Sequence, residues 1–292
     1  MSDAIAASDH RISLDIRRRI APILLIAPLV VYMLVFYVLP LAAMLLRSVS
    51  DPTWTLENYR RLSGDTVFMQ VFWTTLRTSL VVTAGTLLLG YPVALALSRL
   101  RRGAASVVLI IVLLPFWTSV LVRSYAWMVL LGRGGLINEA LHAAGLTDAP
   151  LKLLNTSFAV HIAMIHILLP YMILPIASVL RQMDAALPRA AAGLGATPWS
   201  VFARIILPLS MPGVAAGVLL VFVLSLGFYI TPALVGGPRD LMLSMLIAQQ
   251  VDLLNWPYAA CISATLLAAT LLIIGVFHRL PGVRDVLNAV TR

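Results

Sequence analysis

Residues 153–180 read LLNTSFAVHIAMIHILLPYMILPIASVL, a run of 28 residues without a charged side chain between Lys152 and Arg181. A helix needs about 20 consecutive, predominantly apolar residues to cross the hydrocarbon core of a bilayer. This run therefore predicts a transmembrane helix over about 156–180.

Five further charge-free windows are long enough to cross a bilayer. They lie between Arg19 and Arg47, Arg77 and Arg99, Arg102 and Arg123, Arg204 and Arg239, and Asp252 and Arg279. With 61% hydrophobic and 11% charged residues, the chain departs from soluble domains, which are near 45–50% apolar and about 25% charged. We predict an all-α integral membrane protein with six transmembrane helices, at about 20–46, 75–98, 104–131, 156–180, 212–234 and 257–278.

The distribution of basic residues predicts the orientation. An N-terminus in the cytoplasm places 13 of the 21 basic residues inside, including the three arginines of the RLRR turn at 99–102. Cytoplasmic loops of membrane proteins carry an excess of Lys and Arg. We therefore expect an N-in/C-in topology, and the net charge of +9 indicates topology rather than nucleic-acid binding.

The predicted inner loop between the fourth and fifth helices contains RAAAGLGATPWSVFARIILP at 189–208. Its alanines favour helix, and Gly193 and Gly195 interrupt it. Thr197 and Pro198 form an N-cap and first-turn pair, and we expect the helix that they begin to end at Leu207, before Pro208. Two short helices at a sharp turn predict a docking surface for a cytosolic partner.

The same stretch resembles the cytoplasmic signature E-A-A-x3-G-x9-I-x-L-P of permease subunits of binding-protein-dependent ABC importers. Six of the seven fixed positions match, and an arginine replaces the glutamate; the positions are Arg189, Ala190, Ala191, Gly195, Ile205, Leu207 and Pro208. In that family the loop lies in a cleft of the ATPase subunit. The resemblance implies that these residues, with Ala196 and Phe202, couple the chain to an ATPase.

The family resemblance also implies the fold and the partners, and the charge and apolar pattern indicates the divisions of the chain. The resemblance implies a type I ABC importer permease in the bacterial inner membrane. The expected divisions are a cytoplasmic tail at 1–18, a first helix at 19–47, a core permease domain at 70–279 with a coupling loop at 181–210, and a C-terminal tail at 280–292. The expected partners are a second permease, forming a heterodimer, two ATPase subunits that bind ATP and Mg²⁺, a periplasmic solute-binding protein and membrane lipid.

Three further stretches are similar to the spermidine/putrescine permease group: PFWTSVLVRSYAW at 115–127, HILLPYMILPIASVLRQMD at 166–184 and NWPYAACIS at 255–263. This similarity implies a polyamine as the solute. The group also includes transporters for opines, aminophosphonates and related small polar solutes, so those alternatives stay open.

Aromatic side chains and one arginine are the candidate pathway residues: Trp117, Arg123, Tyr125, Tyr171 and Tyr229. The aromatic rings can make cation–π contacts with an amine or form an interfacial belt, and we assign Trp127 to the belt. Arg123 either extends to the lipid headgroups or shapes the mouth of the pathway.

The carboxylates nearest to the predicted spans, Asp240 and Asp252, lie in the last outer loop. We expect them at the outer mouth, where water and salt screen them. Because the predicted spans contain no carboxylate, an ion-coupled secondary transporter is the weaker alternative.

The sequence offers no set of residues that indicates an enzyme. His161 and His166 are five positions apart, which separates them by about 140° around a helix, so they lack the i, i+4 spacing of a zinc-binding helix. The sequence contains no Walker A pattern, so we expect ATP hydrolysis in a partner chain and no cofactor in this one. Gly213 and Gly217 form a G-x-x-x-G pattern that predicts close helix packing.

Overall fold

The structure, a computed structural model, describes residues 26–50 and 53–279. The regular secondary structure of the described residues is helical, with no β-strand. The helices are α1 (Ile26–Ser50), α2 (Glu57–Gly64), α3 (Thr66–Arg99), α4 (Arg102–Leu113), α5 (Val120–Leu131), α6 (Leu136–Ala143), α7 (Ser157–Gln182), α8 (Ala186–Gly193), α9 (Pro198–Leu226), α10 (Ile230–Val235), α11 (Leu243–Asp252) and α12 (Trp256–His278).

Six helical segments of the described chain are long and apolar enough to cross a membrane. They are 26–50, 66–99, 120–143, 157–182, 198–226 and 256–277. The prediction of an all-α membrane protein with six spans is confirmed. The predicted tails at 1–18 and 280–292, and the beginning of the first helix, lie outside the described residues.

Helix α7 forms the centre of the bundle. The Thr156 hydroxyl accepts a hydrogen bond from the backbone N–H of Ala159, which fixes the beginning of the helix. Met172, Ile173 and Ile176 are fully buried between α3 and α9. One end of the bundle carries α8 and the turn at 99–102; the other carries α2, α6 and residues 236–242. We call these the α8 end and the α6 end.

Glycine residues bring α9 into close contact with α7. A Cβ atom on Gly213 would lie 2.7 Å from the Pro175 carbonyl oxygen, and one on Gly217 would lie 2.8 Å from the Met172 sulfur. Helices in membranes associate through such small residues because backbone atoms can then make van der Waals contact. The predicted close packing at Gly213 and Gly217 is confirmed.

Helix α3 is longer than the predicted second span of 75–98, because it begins at Thr66. The Asp65 carboxylate accepts hydrogen bonds from the backbone N–H groups of Val67 and Phe68 and so caps it. The added turns bury Phe68 and Val71 against α11 and α12 in a second apolar cluster. Tertiary packing therefore extends the helix beyond the charge-free window.

The predicted third helix, a single kinked span over 104–131, is wrong. Leu114–Trp117 tightens to a 3-10 turn, and the chain then breaks before α5 begins at Val120. The Ser119 hydroxyl accepts a hydrogen bond from the N–H of Leu121, so it caps a separate helix. Pro115 thus contributes to a break between two helices rather than a bend within one.

The predicted helix end at Leu207 is also wrong, because α9 continues through Pro208 to Leu226. A π-helical turn at Phe202–Ile206 precedes the proline, and the N–H of Leu207 bonds to the Phe202 carbonyl. A proline inside an α-helix clashes with the carbonyl four residues earlier. We attribute the continuity to the wider turn, which changes the backbone register at that point.

Candidate functional site: the α8 loop and the aromatic surface

The coupling loop, residues 181–210, reverses the chain between α7 and α9. After α8, Gly195 has a φ of +86°, a conformation that residues with a Cβ rarely adopt. The N–H of Ala196 bonds to the Ala191 carbonyl, which closes the turn. The Thr197 hydroxyl then accepts from the N–H of Ser200 and caps α9, as the sequence predicts.

The turn presents two large apolar side chains to the outside of the chain. Leu194 is 90% exposed and Trp199 is 74% exposed. Arg189, at the position of the family's glutamate, is exposed and donates from Nε to the Ala185 carbonyl at 2.9 Å. Exposed apolar groups at a helix–turn–helix corner are suited to insertion into a partner's cleft.

An open cavity of about 600 Å³ lies beside this turn, lined in part by Pro188, Ala196 and Trp199. Of the predicted coupling residues, Ala190 is exposed, whereas Ala191, Ala196 and Phe202 are half-buried. The small side chains thus keep the space between α8 and the start of α9 open.

Phe202 connects the coupling loop with the membrane-spanning bundle. Its ring meets the Tyr91 ring of α3 edge-on, with centroids 5.9 Å apart. The Tyr91 hydroxyl in turn shares a 2.9 Å hydrogen bond with Ser210 of α9. Farther along α9, Ile205 is half-buried, and Leu207 and Pro208 lie on its exposed side.

Four of the predicted pathway residues lie on α5, on α7 and in the turn before α5. Tyr171 packs against Phe116 with ring centroids 4.9 Å apart, whereas Trp117 is 78% exposed. Arg123 lies within electrostatic range of Tyr171. Tyr125 is exposed on the same helix as Arg123.

Trp127 of α5 has a partner on α7, and its assignment to an interfacial belt stays a prediction. This side chain is half-buried, and its indole N–H donates to Nδ1 of His166 at 3.4 Å. The two rings meet edge-on with centroids 5.7 Å apart. The polar atom of Trp127 is therefore paired within the chain, and His166, although exposed, has a hydrogen-bond partner on α5.

Tyr229 lies in the break between α9 and α10. It is 46% exposed, and the adjoining α10 is held against α5 by a 2.8 Å hydrogen bond between Thr231 and Ser124. This break interrupts the predicted fifth span of 212–234, because the helix ends at Leu226 and the next begins at Ile230. The structure thus places Tyr229 and the α5 aromatics at one helix junction.

The expectation that Asp240 is screened by water at the outer mouth is wrong. Asp240 is 6% exposed, accepts from the Ser157 hydroxyl and accepts from the Gly237 N–H at 2.9 Å. It ties the 236–242 loop to the beginning of α7, so its role is structural. Asp252, by contrast, is exposed at the end of α11, as expected.

A second carboxylate cluster at the α6 end has no counterpart among the predicted site residues. The Tyr258 hydroxyl donates to Asp65 at 2.6 Å, and the Arg61 guanidinium lies 4.8 Å from the centre of the Tyr258 ring. The hydrogen bond from Tyr258 is the main reason why the pKa of Asp65 lies below its ordinary value. The position of Asp65 immediately before an apolar run is a sequence signal for the cap on α3. Its hydrogen bond to Tyr258 has no such signal, because the two residues are 193 positions apart.

Comparison with known proteins gives a consistent result. Residues 19–285 match the family described as binding-protein-dependent transport system inner membrane component. The spermidine/putrescine transport system permease protein PotB of Haemophilus influenzae is 38% identical over 226 residues, 77% of this chain and 79% of that protein. The PotB protein of Escherichia coli is 37% identical over 77% of this chain and 82% of its own length.

Two further matches are more distant. The molybdenum transport system permease protein ModB of Mycobacterium bovis is 31% identical over 85% of this chain and 91% of its own. A bacterial alginate ABC transporter, solved with an alginate pentasaccharide-bound periplasmic protein, superposes with a TM-score of 0.72 at 20% identity. That match covers 90% of this chain and 94% of the other, and at this identity it supports the fold alone.

The family resemblance read from residues 189–208 is therefore confirmed. Six apolar spans and a family of inner-membrane components make this a multi-pass inner-membrane protein. The chain belongs to the binding-protein-dependent transport system inner membrane components, as a permease subunit of an ABC importer.

Proposed function

We propose that this permease imports a polyamine of the putrescine or spermidine type. The carrying observation is the 37–38% identity with spermidine/putrescine permeases over 77% of the chain. The exposed rings of Trp117, Tyr125 and Tyr229 support the proposal, because aromatic faces attract ammonium groups. In the proposed complex, a second permease pairs with this chain, two ATPase subunits bind ATP and Mg²⁺, and a periplasmic protein delivers the solute.

We propose an N-in/C-in orientation for the chain.

Within that complex, the coupling loop at 181–210 is the proposed ATPase contact. Leu194 and Trp199 are the side chains that would enter the partner's cleft, since they are the most exposed apolar groups of the loop. The small residues beside them leave room for the partner, and Phe202 carries the contact toward Tyr91 and the bundle.

The solute is tested by uptake into proteoliposomes that contain the complete complex. We expect uptake of putrescine or spermidine, and we expect Trp117→Ala and Tyr229→Ala each to reduce it roughly two- to thirtyfold, from cation–π contacts of about 0.5–2 kcal/mol. Trp54→Ala is the matched control, because Trp54 is also exposed, at 79%, but precedes α2 at the α6 end. The affinity of the isolated binding protein should not change. Full-rate transport by both pathway variants would contradict the aromatic path.

The ATPase contact is tested at Gly195. Any side chain there strains the backbone, at about 1–2 kcal/mol, but no atom of this chain lies within 4 Å of the place that a Cβ would occupy. Gly195→Ala therefore measures the strain alone, and Gly195→Trp adds bulk that only a partner can meet. We expect the tryptophan variant to lose solute-stimulated ATP hydrolysis and the alanine variant to keep most of it. Equal activity of the two variants would exclude a partner at this turn.

A second candidate solute is one with a carboxylate or phosphonate beside its amine, as in an opine or aminophosphonate. Arg123 is the observation that favours it, because an unpaired guanidinium in the proposed pathway repels a purely cationic solute. Competition of each solute class against putrescine uptake distinguishes the two candidates.

A further inference from the structure

Arg123 is a charged residue inside a membrane-spanning segment with an unsatisfied hydrogen-bond donor. Its Nε is buried and has no hydrogen-bond partner. Only Nε of this guanidinium is fully enclosed without a partner, so the Nη nitrogens reach the surface of the chain. The guanidinium is thus enclosed at Nε and accessible at its Nη nitrogens.

The groups around the guanidinium do not neutralise it. Tyr171 and His166 of α7 lie within electrostatic range, and neither is an acid. His166 is already engaged through Nδ1 by the indole of Trp127, one turn beyond Arg123 on α5. Within the described part of the chain, no carboxylate pairs with Arg123.

The segment that carries Arg123 is apolar and partly uncovered. Its neighbours in the sequence include Val122, which is 60% exposed, and Tyr125, which is 51% exposed. A guanidinium in a membrane span is costly unless it is paired. Arginines there characteristically face a bundle interior or a water-filled cavity, where they pair with another ionisable group or with backbone carbonyls. The planar guanidinium matches the two oxygens of a carboxylate or phosphonate.

We propose that Arg123 pairs with an oxyanion that comes from outside this chain. The proposal commits to two sources: a carboxylate of the second permease subunit, or an anionic group of the solute. Pairing with a lipid phosphate would leave both readouts below unchanged and would overturn it. The inference rests on the proposed function, because the second permease subunit is part of the complex proposed there. A polyamine has no oxyanion, so for a polyamine solute the carboxylate belongs to the second permease.

The test compares Arg123→Gln with Arg123→Lys in the complete complex. Arg133→Gln is the matched control, since Arg133 is exposed and follows the same helix. The substitution removes the same charge. Two readouts are taken. The first is the amount of second permease that co-purifies with this chain. The second is inhibition of the uptake of labelled putrescine by unlabelled putrescine and by ornithine. Ornithine differs from putrescine by one carboxylate. A thermal melt of each variant chain establishes that it is folded.

Each source predicts a different pattern. With a carboxylate on the second permease, Arg123→Gln should reduce co-purification about tenfold or more and Arg123→Lys less, as for truncation of a buried charge pair. With an oxyanion on the solute, assembly should be unchanged and competition by ornithine should fall about tenfold. If Arg123→Gln matches Arg133→Gln in both readouts, the inference is overturned. A wild-type complex that takes up no polyamine overturns the proposed function instead, and leaves the co-purification result valid.

Discussion

Asp240 and Asp65 each connect two elements that are distant in the sequence. Asp240 joins the 236–242 loop to Ser157 of α7, and Asp65 joins the cap of α3 to Tyr258 of α12. Both carboxylates hold the α6 end together. Neither link is visible in the sequence, because the partners are 83 and 193 positions away.

Asp240→Asn should destabilise the protein by about 1–3 kcal/mol. The amide oxygen can still accept from the Gly237 N–H and the amide NH₂ can donate to the Ser157 hydroxyl, but both hydrogen bonds become neutral and therefore weaker in a buried site. Thermal unfolding of the purified chain in detergent measures the effect. Asp252→Asn is the control, because Asp252 is exposed, and equal melting temperatures for the two variants would show that the Asp240 link is not stabilising.

Tyr258→Phe should lower the melting temperature in a way that depends on pH. The pKa of Asp65 is lowered in the folded chain, chiefly by the Tyr258 hydroxyl, so the ionised carboxylate stabilises the fold. That contribution is fully present above the ordinary pKa of 3.8 and is lost as the pH falls through the lower folded value. We expect a constant difference from wild type between about pH 7 and pH 5, shrinking below about pH 4. Tyr32→Phe should show no such trend.

At the scale of helices, the contact between α7 and α9 depends on two glycines whose missing side chains let the backbones meet. We expect Gly213→Ala to cost about 1–3 kcal/mol, because its Cβ would meet backbone atoms of Pro175 and Ile176 at 2.7 and 2.8 Å. Gly275→Ala in α12, with no atom within 4 Å, should be neutral or slightly stabilising. Unfolding in SDS compares them, and a neutral Gly213→Ala would show that the helices can separate freely.

Helix positions were predictable where apolar length alone decides them. The charge-free windows place α7 and α12 within two residues of their observed ends. They miss the first turns of α3, because those turns are stabilised by packing of Phe68 and Val71 against distant helices. They also miss the break at Ser119 and the π turn before Pro208, since a proline restricts the backbone without specifying how the chain accommodates it. At the site, the sequence indicated the coupling loop, whose capping is local, and missed the burial of Asp240, which depends on tertiary contacts.

At the scale of the whole molecule, the orientation in the bilayer follows from the arginine distribution and stays a prediction. We expect an impermeant maleimide to label Leu146→Cys in intact cells, and His10→Cys and Asp285→Cys only after permeabilisation. Leu146 is 71% exposed, and it is preferable to Gly145, whose φ is +68°. The native Cys261 is fully buried, which keeps background labelling low. Labelling of position 285 in intact cells would contradict the N-in/C-in topology.

The unbroken course of α9 has a mechanical consequence. Its 29 residues, from Pro198 to Leu226, form a rod about 43 Å long at 1.5 Å per residue. One end carries Trp199, and the other stops beside the break that holds Tyr229. One continuous backbone therefore joins the Trp199 end to the Tyr229 end, and bending along it should concentrate at the π turn before Pro208 and at Pro212, which lacks a backbone donor.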